Sequence, residues 1–378
     1  MEAALKNIQS KLESIFSHLH TYPEVSWQEY DTTAYIRQLF EPYDCHITTF
    51  DDSPGLVIEI GHGKPVIGLR ADIDALWQEV DGEFTANHSC GHDAHMTIAI
   101  GTLMTLLETG CPAQGTFRFL FQPAEEKGTG ALSFVDKGLV DDADFLYGMH
   151  LRPGEELGHE QFAPAIKHGA ARFLKGTIRG DDAHGARPHL NANAIEIGAE
   201  LIQHLNNIHI NPMIPHSAKM TAFQADGGST NIIPGNASFS LDLRAQTNAV
   251  MSELTEKIKQ IAGMLANYHQ VSIDLTTGAD IAAAVIDGEA AAMMMDAIRT
   301  SAGPEKLRPT ITTTGGDDFH FYTIKRPHLK AAMLAIGCDL SPGLHHPHMT
   351  FKQEIIPQAV RILTTALTQT AEKHADIR

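Results

Sequence analysis

The run His88-Ser89-Cys90-Gly91-His92-Asp93-Ala94-His95 constrains this chain more than any other stretch. It packs one thiol, three imidazoles and a carboxylate into eight positions, a density of ligand-type side chains that a soluble protein seldom shows without a metal. With Gly91 between them on an extended or turning backbone, Cys90 and His92 can aim at one point. A thiolate and an imidazole that converge suit zinc, cobalt or another first-row divalent ion. Taken alone, Cys-x-His also reads as a buried free cysteine beside a His-rich loop, so the remaining ligands have to come from elsewhere in the chain.

At 378 residues the chain suits two domains and has ample length for a substantial core. Lys and Arg number 28 against 46 Asp and Glu, a net charge of −18 that opposes phosphate backbones and anionic membrane surfaces. Nucleic acid and membrane are therefore poor partners. Met1-Glu2-Ala3-Ala4-Leu5-Lys6 lacks the basic start and apolar run of a secretory signal, and no apolar run approaches the roughly 18 residues of a membrane helix. Cys45, Cys90, Cys111 and Cys338 are too few for a disulfide framework and fit a reducing compartment. The expected location is cytoplasmic.

Leu5, Ile8, Leu12, Ile15 and Leu19 recur at helical spacing, and Pro23 ends that helix. A second helix is expected around 28–40, then strands over 55–60 and 65–69 separated by a Gly61-His62-Gly63-Lys64 turn. The second strand runs into Asp72 and Asp74, which stand where ligand sites form in open α/β sheets, or else serve as turn former and helix cap. A helix is expected over 96–107, and the strand over 115–121 delivers Gln122-Pro123-Ala124-Glu125-Glu126 to the same edge. Two adjacent glutamates leave the backbone in different directions, so one can bind metal while its neighbour handles protons; on a surface such a pair would be solvated. A further apolar strand over 144–150 ends in His150.

From about Ala171 the pattern changes to β-α-β-β-α-β, the order of a ferredoxin-like unit. It predicts an inserted domain at 170–279 between catalytic segments at 1–169 and 280–378. After it, a helix over 287–301, a strand over 330–337 leading to His345-His346-Pro347-His348, and a helix over 359–373 complete an α/β fold with a central mixed sheet flanked by helices. A metal site with ligands gathered from several strand ends accounts for all of these clusters at once.

Ala71-Asp-Ile-Asp-Ala-Leu76, His88-Ser-Cys-Gly-His-Asp-Ala-His95, Phe121-Gln-Pro-Ala-Glu-Glu126, Gly148-Met-His150, His184 with Arg187-Pro188-His189, Thr230-Asn-Ile-Ile-Pro234, Asp242-Leu-Arg244 and Leu344-His-His-Pro347 stand in the order seen in one family. Over about residues 20–350 the chain resembles the dinuclear-metal amidohydrolases of the aminoacylase and carboxypeptidase group, nearest to the branch of hippurate hydrolase and indole-acetyl-amino-acid hydrolase. His20-x-x-Pro23-Glu24 with Glu29 also resembles that branch.

The resemblance implies two divalent ions per chain, Zn, Mn or Co, bridged by Cys90, with His92 and His150 completing one set and Glu126 and His345 the other. His346 stands beside His345 as a competing ligand. Glu125 would be the general base, His184 would steady the oxyanion from the partner subunit of a homodimer formed through the inserted lid, and Asn231 and Arg244 would hold the substrate's carboxylate. The implied activity is hydrolysis of N-acyl amino acids, with acetyl, benzoyl or aryl-acetyl groups; a dipeptidase or carboxypeptidase on the same scaffold and a non-catalytic ligand-binding relic are the rivals. Two departures bear on substrate fit: Trp77 stands where the family usually has proline, and Asp181 and Asp182 replace small residues before His184.

Overall fold

The computed structural model describes residues 1–110 and 114–375, so Cys111 lies outside the described residues. Among these residues, the chain divides into two compact units. One comprises Met1–Lys167, Val285–Thr312 and the chain from Asp318 onward, the other His168–Ala284 with Thr313–Asp317. The inserted unit thus extends a few residues beyond 170–279 on each side and takes in a short return segment.

In the first unit, α1 (Glu2–Thr21) buries Leu5, Ile8, Leu12, Ile15 and Leu19, the stripe their spacing predicts. α2 (Tyr30–Phe40), β1 (His46–Thr49), β2 (Leu56–His62) and β3 (Val66–Asp72) follow. β4 (Leu76–Val80) and β5 (Glu83–Asn87) form a hairpin apart from the main sheet. Its turn is Asp81-Gly82, both at positive φ (53° and 89°), the conformation that Asp-Gly favours in a two-residue hairpin. α3 (His92–Thr109) starts four residues before the expected helix and is buried on all sides from His92 to Leu106. β6 (Gly115–Gln122), α4 (Gly130–Asp136), β7 (Phe145–Pro153) and β8 (Phe162–Ala163) complete the first segment.

The inserted unit runs β9 (Ala170–Arg179), α5 (Ala194–Asn206), β10 (His216–Gln224), β11 (Ala237–Ala245), α6 (Asn248–His269) and β12 (Ser272–Ile281). Its sheet is antiparallel throughout in the order β10-β11-β9-β12. Ile197, Leu201 and Leu205 of α5 join Val250, Leu254, Ile258 and Leu265 of α6 and the strands' apolar residues in a core of its own. Asn193 caps α5 by accepting from the Ile195 amide, and Thr247 caps α6 by accepting from Val250.

The chain re-enters the first unit with α7 (Gly288–Ser301), α8 (His320–Lys325), β13 (Lys330–Leu340) and α9 (Ile356–His374). The main sheet has the order β1-β2-β6-β3-β7-β13-β8. β6, β3, β7 and β13 are parallel to one another, while β1, β2 and β8 make antiparallel edges. β3 and β7 are buried along their whole length and read as near-continuous apolar runs, as strands covered on both faces do. α1, α3, α7 and α9 share one core with this sheet. Because the four central strands are parallel, their C-terminal ends meet at one edge, where Asp72, Gln122, His150 and the approach to His345 all emerge. No helix among the described residues is long and apolar enough to cross a membrane.

Candidate metal centre

Cys90 and His92 do not sit on an extended loop. Gly91 at φ +84° turns the chain straight into α3, and a Cβ there would stand 2.8 Å from Leu151 Cδ1, so only glycine lets Cys90 and the first residue of the helix face the same point. Around Cys90 two groups form, each with ligand atoms within 4.8 Å of one another: Cys90, His92 and His150 in one, Cys90, Glu126 and His345 in the other. Cys90 Sγ lies 3.6 Å from His150 Nε2 and 3.3 Å from His345 Nε2. His345 Nε2 is in turn 3.5 Å from Glu126 Oε1.

The rings present lone pairs to this point because their other nitrogens are held. His92 Nδ1 donates to the Asp74 backbone carbonyl at 2.9 Å, with Asp74 Oδ1 at 3.3 Å, and His150 Nδ1 donates to the Leu151 carbonyl at 2.6 Å. His92 Nε2 and Glu126 Oε1 are buried, and among the described residues neither has a hydrogen-bond partner outside the cluster around Cys90. Such atoms are costly to bury alone, and a cation among them removes the cost. Burial, reinforced by the Glu126 charge, pushes the Cys90 thiol well above its ordinary range, and burial also pushes Glu126 up to about 7. A neutral thiol and a half-protonated carboxyl are poor company for a deeply buried imidazole. The donor set fits divalent metal, whose charge favours the thiolate and carboxylate forms.

His345, not His346, joins the cluster. The chain reaches it in a left-handed conformation (φ +64°), with the His345 amide donating to the Ser89 carbonyl at 2.8 Å. The β4–β5 hairpin holds the same loop: Gln78 Nε2 donates to the His345 carbonyl at 3.1 Å and Asn87 Nδ2 to that of Pro347 at 2.8 Å. His346 is exposed, and its Nδ1 accepts from the His348 amide.

Glu125 stands beside these groups, with Oε2 4.0 Å from His92 Nε2. Asp72 and Asp74, which local sequence left open between ligand and cap, are braces. Asp74 Oδ2 accepts from Ser26 Oγ at 2.7 Å and from the Glu126 amide at 3.0 Å, so one residue orients His92 through its backbone carbonyl and the Glu-Glu turn through its carboxylate. Asp72 accepts from His95 Nδ1 at 2.7 Å and from Arg70 Nη1 at 2.6 Å, and His95 Nε2 accepts from the Leu151 amide. Burial raises the Asp72 carboxyl, but His92, Arg70 and His95 outweigh it and hold it well below the carboxylate range. Arg70 also reaches Asp318 and Gln122, a buried network that sequence reasoning missed because its members lie up to 248 positions apart.

His184, Asn231 and Arg244 belong to the inserted unit. His184 lies on a short ladder with Ile232, its Nδ1 accepting from the Ala186 amide, and Asn231 Oδ1 accepts from Ser229 Oγ. Arg244 is at the other end of β9 and β11, since Ile178 pairs with Ala237 and Ala171 with Arg244. It forks onto Asp242 at 2.7 and 3.2 Å, stacks over Phe173 at 5.2 Å, and lines a cavity of about 160 Å³ with His216, Ser217 and Gln246. Within one chain the inserted unit therefore does not bring Asn231 and Arg244 together. Of the substitutions before His184, Asp182 accepts from the Gly235 amide at 2.8 Å.

Residues 68–369 match the peptidase family M20/M25/M40. The chain belongs to this family. Among its relatives, N-acetyl-L-cysteine deacetylase of Bacillus subtilis (strain 168) is 30% identical over 377 residues, covering 94% of this chain and 87% of that protein. N-acetyldiaminopimelate deacetylase of Exiguobacterium sibiricum is 30% identical over 362 residues, with 91% and 95% covered. The crystal structure of Bacillus subtilis YXEP protein, described as a dinuclear metal binding peptidase from the M20 family, superposes with TM-score 0.81 at 25% identity, covering 97% of this chain and 99% of that one. As a member of the M20 family the chain is an enzyme, an amidohydrolase, built on a mixed α/β fold.

Proposed function

We propose that the chain hydrolyses the amide of N-acyl amino acids, releasing a carboxylic acid and a free amino acid. Two divalent ions would be held, one by Cys90, His92 and His150 and one by Cys90, Glu126 and His345. The observation that carries this reading is the convergence on Cys90 of two buried acceptors, His92 Nε2 and Glu126 Oε1, for which no hydrogen-bond partner outside the cluster stands among the described residues, with Glu125 next to them. Bound ions supply Lewis acidity and lower the pKa of water to about 7. Glu125 accepts a proton from the attacking water and delivers it to the departing nitrogen, so that a C–O bond forms as the C–N bond breaks. His184 donates to the oxyanion, and Arg244 and Asn231 grip the free carboxylate of the substrate. The deacetylase names of the relatives favour acetylated amino acids first.

The experiment is turnover of N-acetyl, N-benzoyl and indole-acetyl amino acids beside dipeptides, with protein stripped of metal and reloaded separately with Zn, Mn and Co. Metal-dependent release of amino acid from the acylated set is expected. Release from dipeptides alone would make the enzyme a peptidase.

The placement of Asn231 and Arg244 supports a homodimer that shares its sites. β11 spans nine residues, so its ends are roughly 25 Å apart at about 3.3 Å per residue. A single small substrate gripped by Arg244 of one subunit reaches His184 and Asn231 when these come from the other. Mixing His184→Ala with Glu125→Gln protein under conditions that exchange subunits is then expected to restore about a quarter of wild-type activity, because random pairing makes half the dimers hybrid and each hybrid carries one intact site. No recovery, with hybrid dimers confirmed by mass spectrometry, would place His184 in its own subunit's site.

A further inference from the structure

The Ala124-Glu125-Glu126 turn is gripped from two sides by buried carboxyl groups. Asp74 takes the Glu126 amide, and Glu29 Oε1 takes the Ala124 amide at 2.8 Å. Ala124 is fully buried and left-handed (φ +54°), a conformation that a residue with a Cβ seldom adopts unless its surroundings impose it. Its carbonyl accepts from Thr129 and Gly130, and the Glu125 carbonyl from Gly128, so the turn is fastened on its exit side as well. A Cβ on Gly130 would stand 1.7 Å from the Pro123 carbonyl oxygen, which leaves the turn no room to shift toward α4.

Glu29 occupies the N-cap position of α2, yet its side chain makes no cap hydrogen bond. Glu24 does that work instead, accepting from the Asp31 and Thr32 amides at 3.2 and 2.7 Å. The Glu29 backbone is fixed by α2 through the Thr33 amide and hydroxyl, and its side chain crosses 95 positions of sequence to Ala124. It is fully buried, and among the described residues Oε2 has no hydrogen-bond partner. Such a group is expensive as a core residue, and its hydrogen bond to the Ala124 amide holds the residue that precedes Glu125.

We propose that Glu29 is a positioning residue, resting on the assignment of Glu125 as proton carrier: by clamping the left-handed Ala124, it sets the direction in which Glu125 leaves the backbone. Burial, with the Asp74 charge added, pushes the Glu29 carboxyl up to about 8, so near neutrality it is mostly a neutral acid offering a carbonyl-type acceptor. The amide of glutamine offers the same acceptor at the same reach.

The test compares Glu29→Gln, Glu29→Asp and Glu29→Ala, each loaded with metal and assayed for metal content, kcat and KM. Gln is expected to stay within about three-fold of wild-type kcat, while Asp, one methylene short, and Ala lose about 10- to 100-fold in kcat with KM within about two-fold and metal content unchanged. Crystal structures of wild type and Glu29→Asp supply a readout that does not depend on turnover: Ala124 is expected to leave the left-handed region, and the Glu125 carboxylate to move, only in the variant. Should Glu29→Ala not fold, Asp and Gln decide. Unchanged kcat in Asp, a Gln variant as poor as Asp, or an unaltered Ala124 each overturns the proposal. Absence of turnover in the wild type would sink the role given to Glu125 and leave the clamp to the crystallographic comparison.

Discussion

Replacing Glu125 by Gln is expected to lower kcat by about 10²- to 10⁴-fold while the protein keeps its full complement of metal. Glu125 belongs to neither of the two ligand groups that contain Cys90, and its Oε2 lies 4.0 Å from His92 Nε2, close enough to serve an attacking water in the same space. Glutamine preserves the size of the side chain but cannot accept a proton. Its neighbour gives the contrast: Glu126→Gln removes one ligand from the Cys90, Glu126 and His345 group, so there the loss is of metal as well as of rate. Amine release in a stopped assay, paired with elemental analysis of the desalted protein, separates the two. A Glu125→Gln enzyme within ten-fold of wild type would remove Glu125 from proton transfer, and one that has lost metal would make it a ligand.

Much of the fold was legible because the central strands and amphipathic helices follow simple periods. The stripe of α1 and the apolar runs of β3 and β7 read directly from the sequence. The reading failed where residues serve the site. α3 was expected from Met96, but His92, Asp93 and His95 are buried polar residues committed to a network, and a helix buried on all sides shows no amphipathic period. The β4–β5 hairpin went unseen because Trp77 and Phe84 are exposed, though Asp81-Gly82 carried the signal that would have found it. The cluster itself was legible from residue types, whereas its supports were not. Glu29, Arg70 and Asp318 act through contacts that span 95 and 248 positions, which neither spacing nor local propensity encodes. His345 and His346 could not be told apart in sequence, since only the left-handed turn at His345 decides which ring faces Cys90.

Arg70→Met is expected to destabilise the metal-free protein by about 3–5 kcal/mol, the range for removing one partner of a buried ion pair. Arg70 is 1% exposed and bonds Asp72, Asp318 and Gln122 at once, so a methionine of similar length removes the positive charge that both buried carboxylates share. Arg70→Lys recovers only part of the loss, because a compact ammonium cannot fork to both acids. Exposed Arg37, paired with Glu41 on α2, is the control, and its methionine variant should change stability by under about 1 kcal/mol. The pH dependence has a definite sign. A carboxyl held low in the folded state contributes stability that is present above its unfolded pKa of about 3.9 and is lost as pH falls through its folded value. With Arg70 absent, that hold on Asp72 weakens, the acid loss begins at higher pH, and protonation relieves the carboxylates that the guanidinium had neutralised. The stability gap between wild type and Arg70→Met therefore narrows on acidification. Urea midpoints of metal-free protein at a series of pH values measure it, and a gap below 1 kcal/mol at neutral pH, or one that stays constant into acid, would mean the network is held by its neutral members. The effect reaches the site through Asp72 and His95, since His95 accepts the Leu151 amide next to His150, so loosening the Arg70 network is expected to weaken metal retention in the same variants.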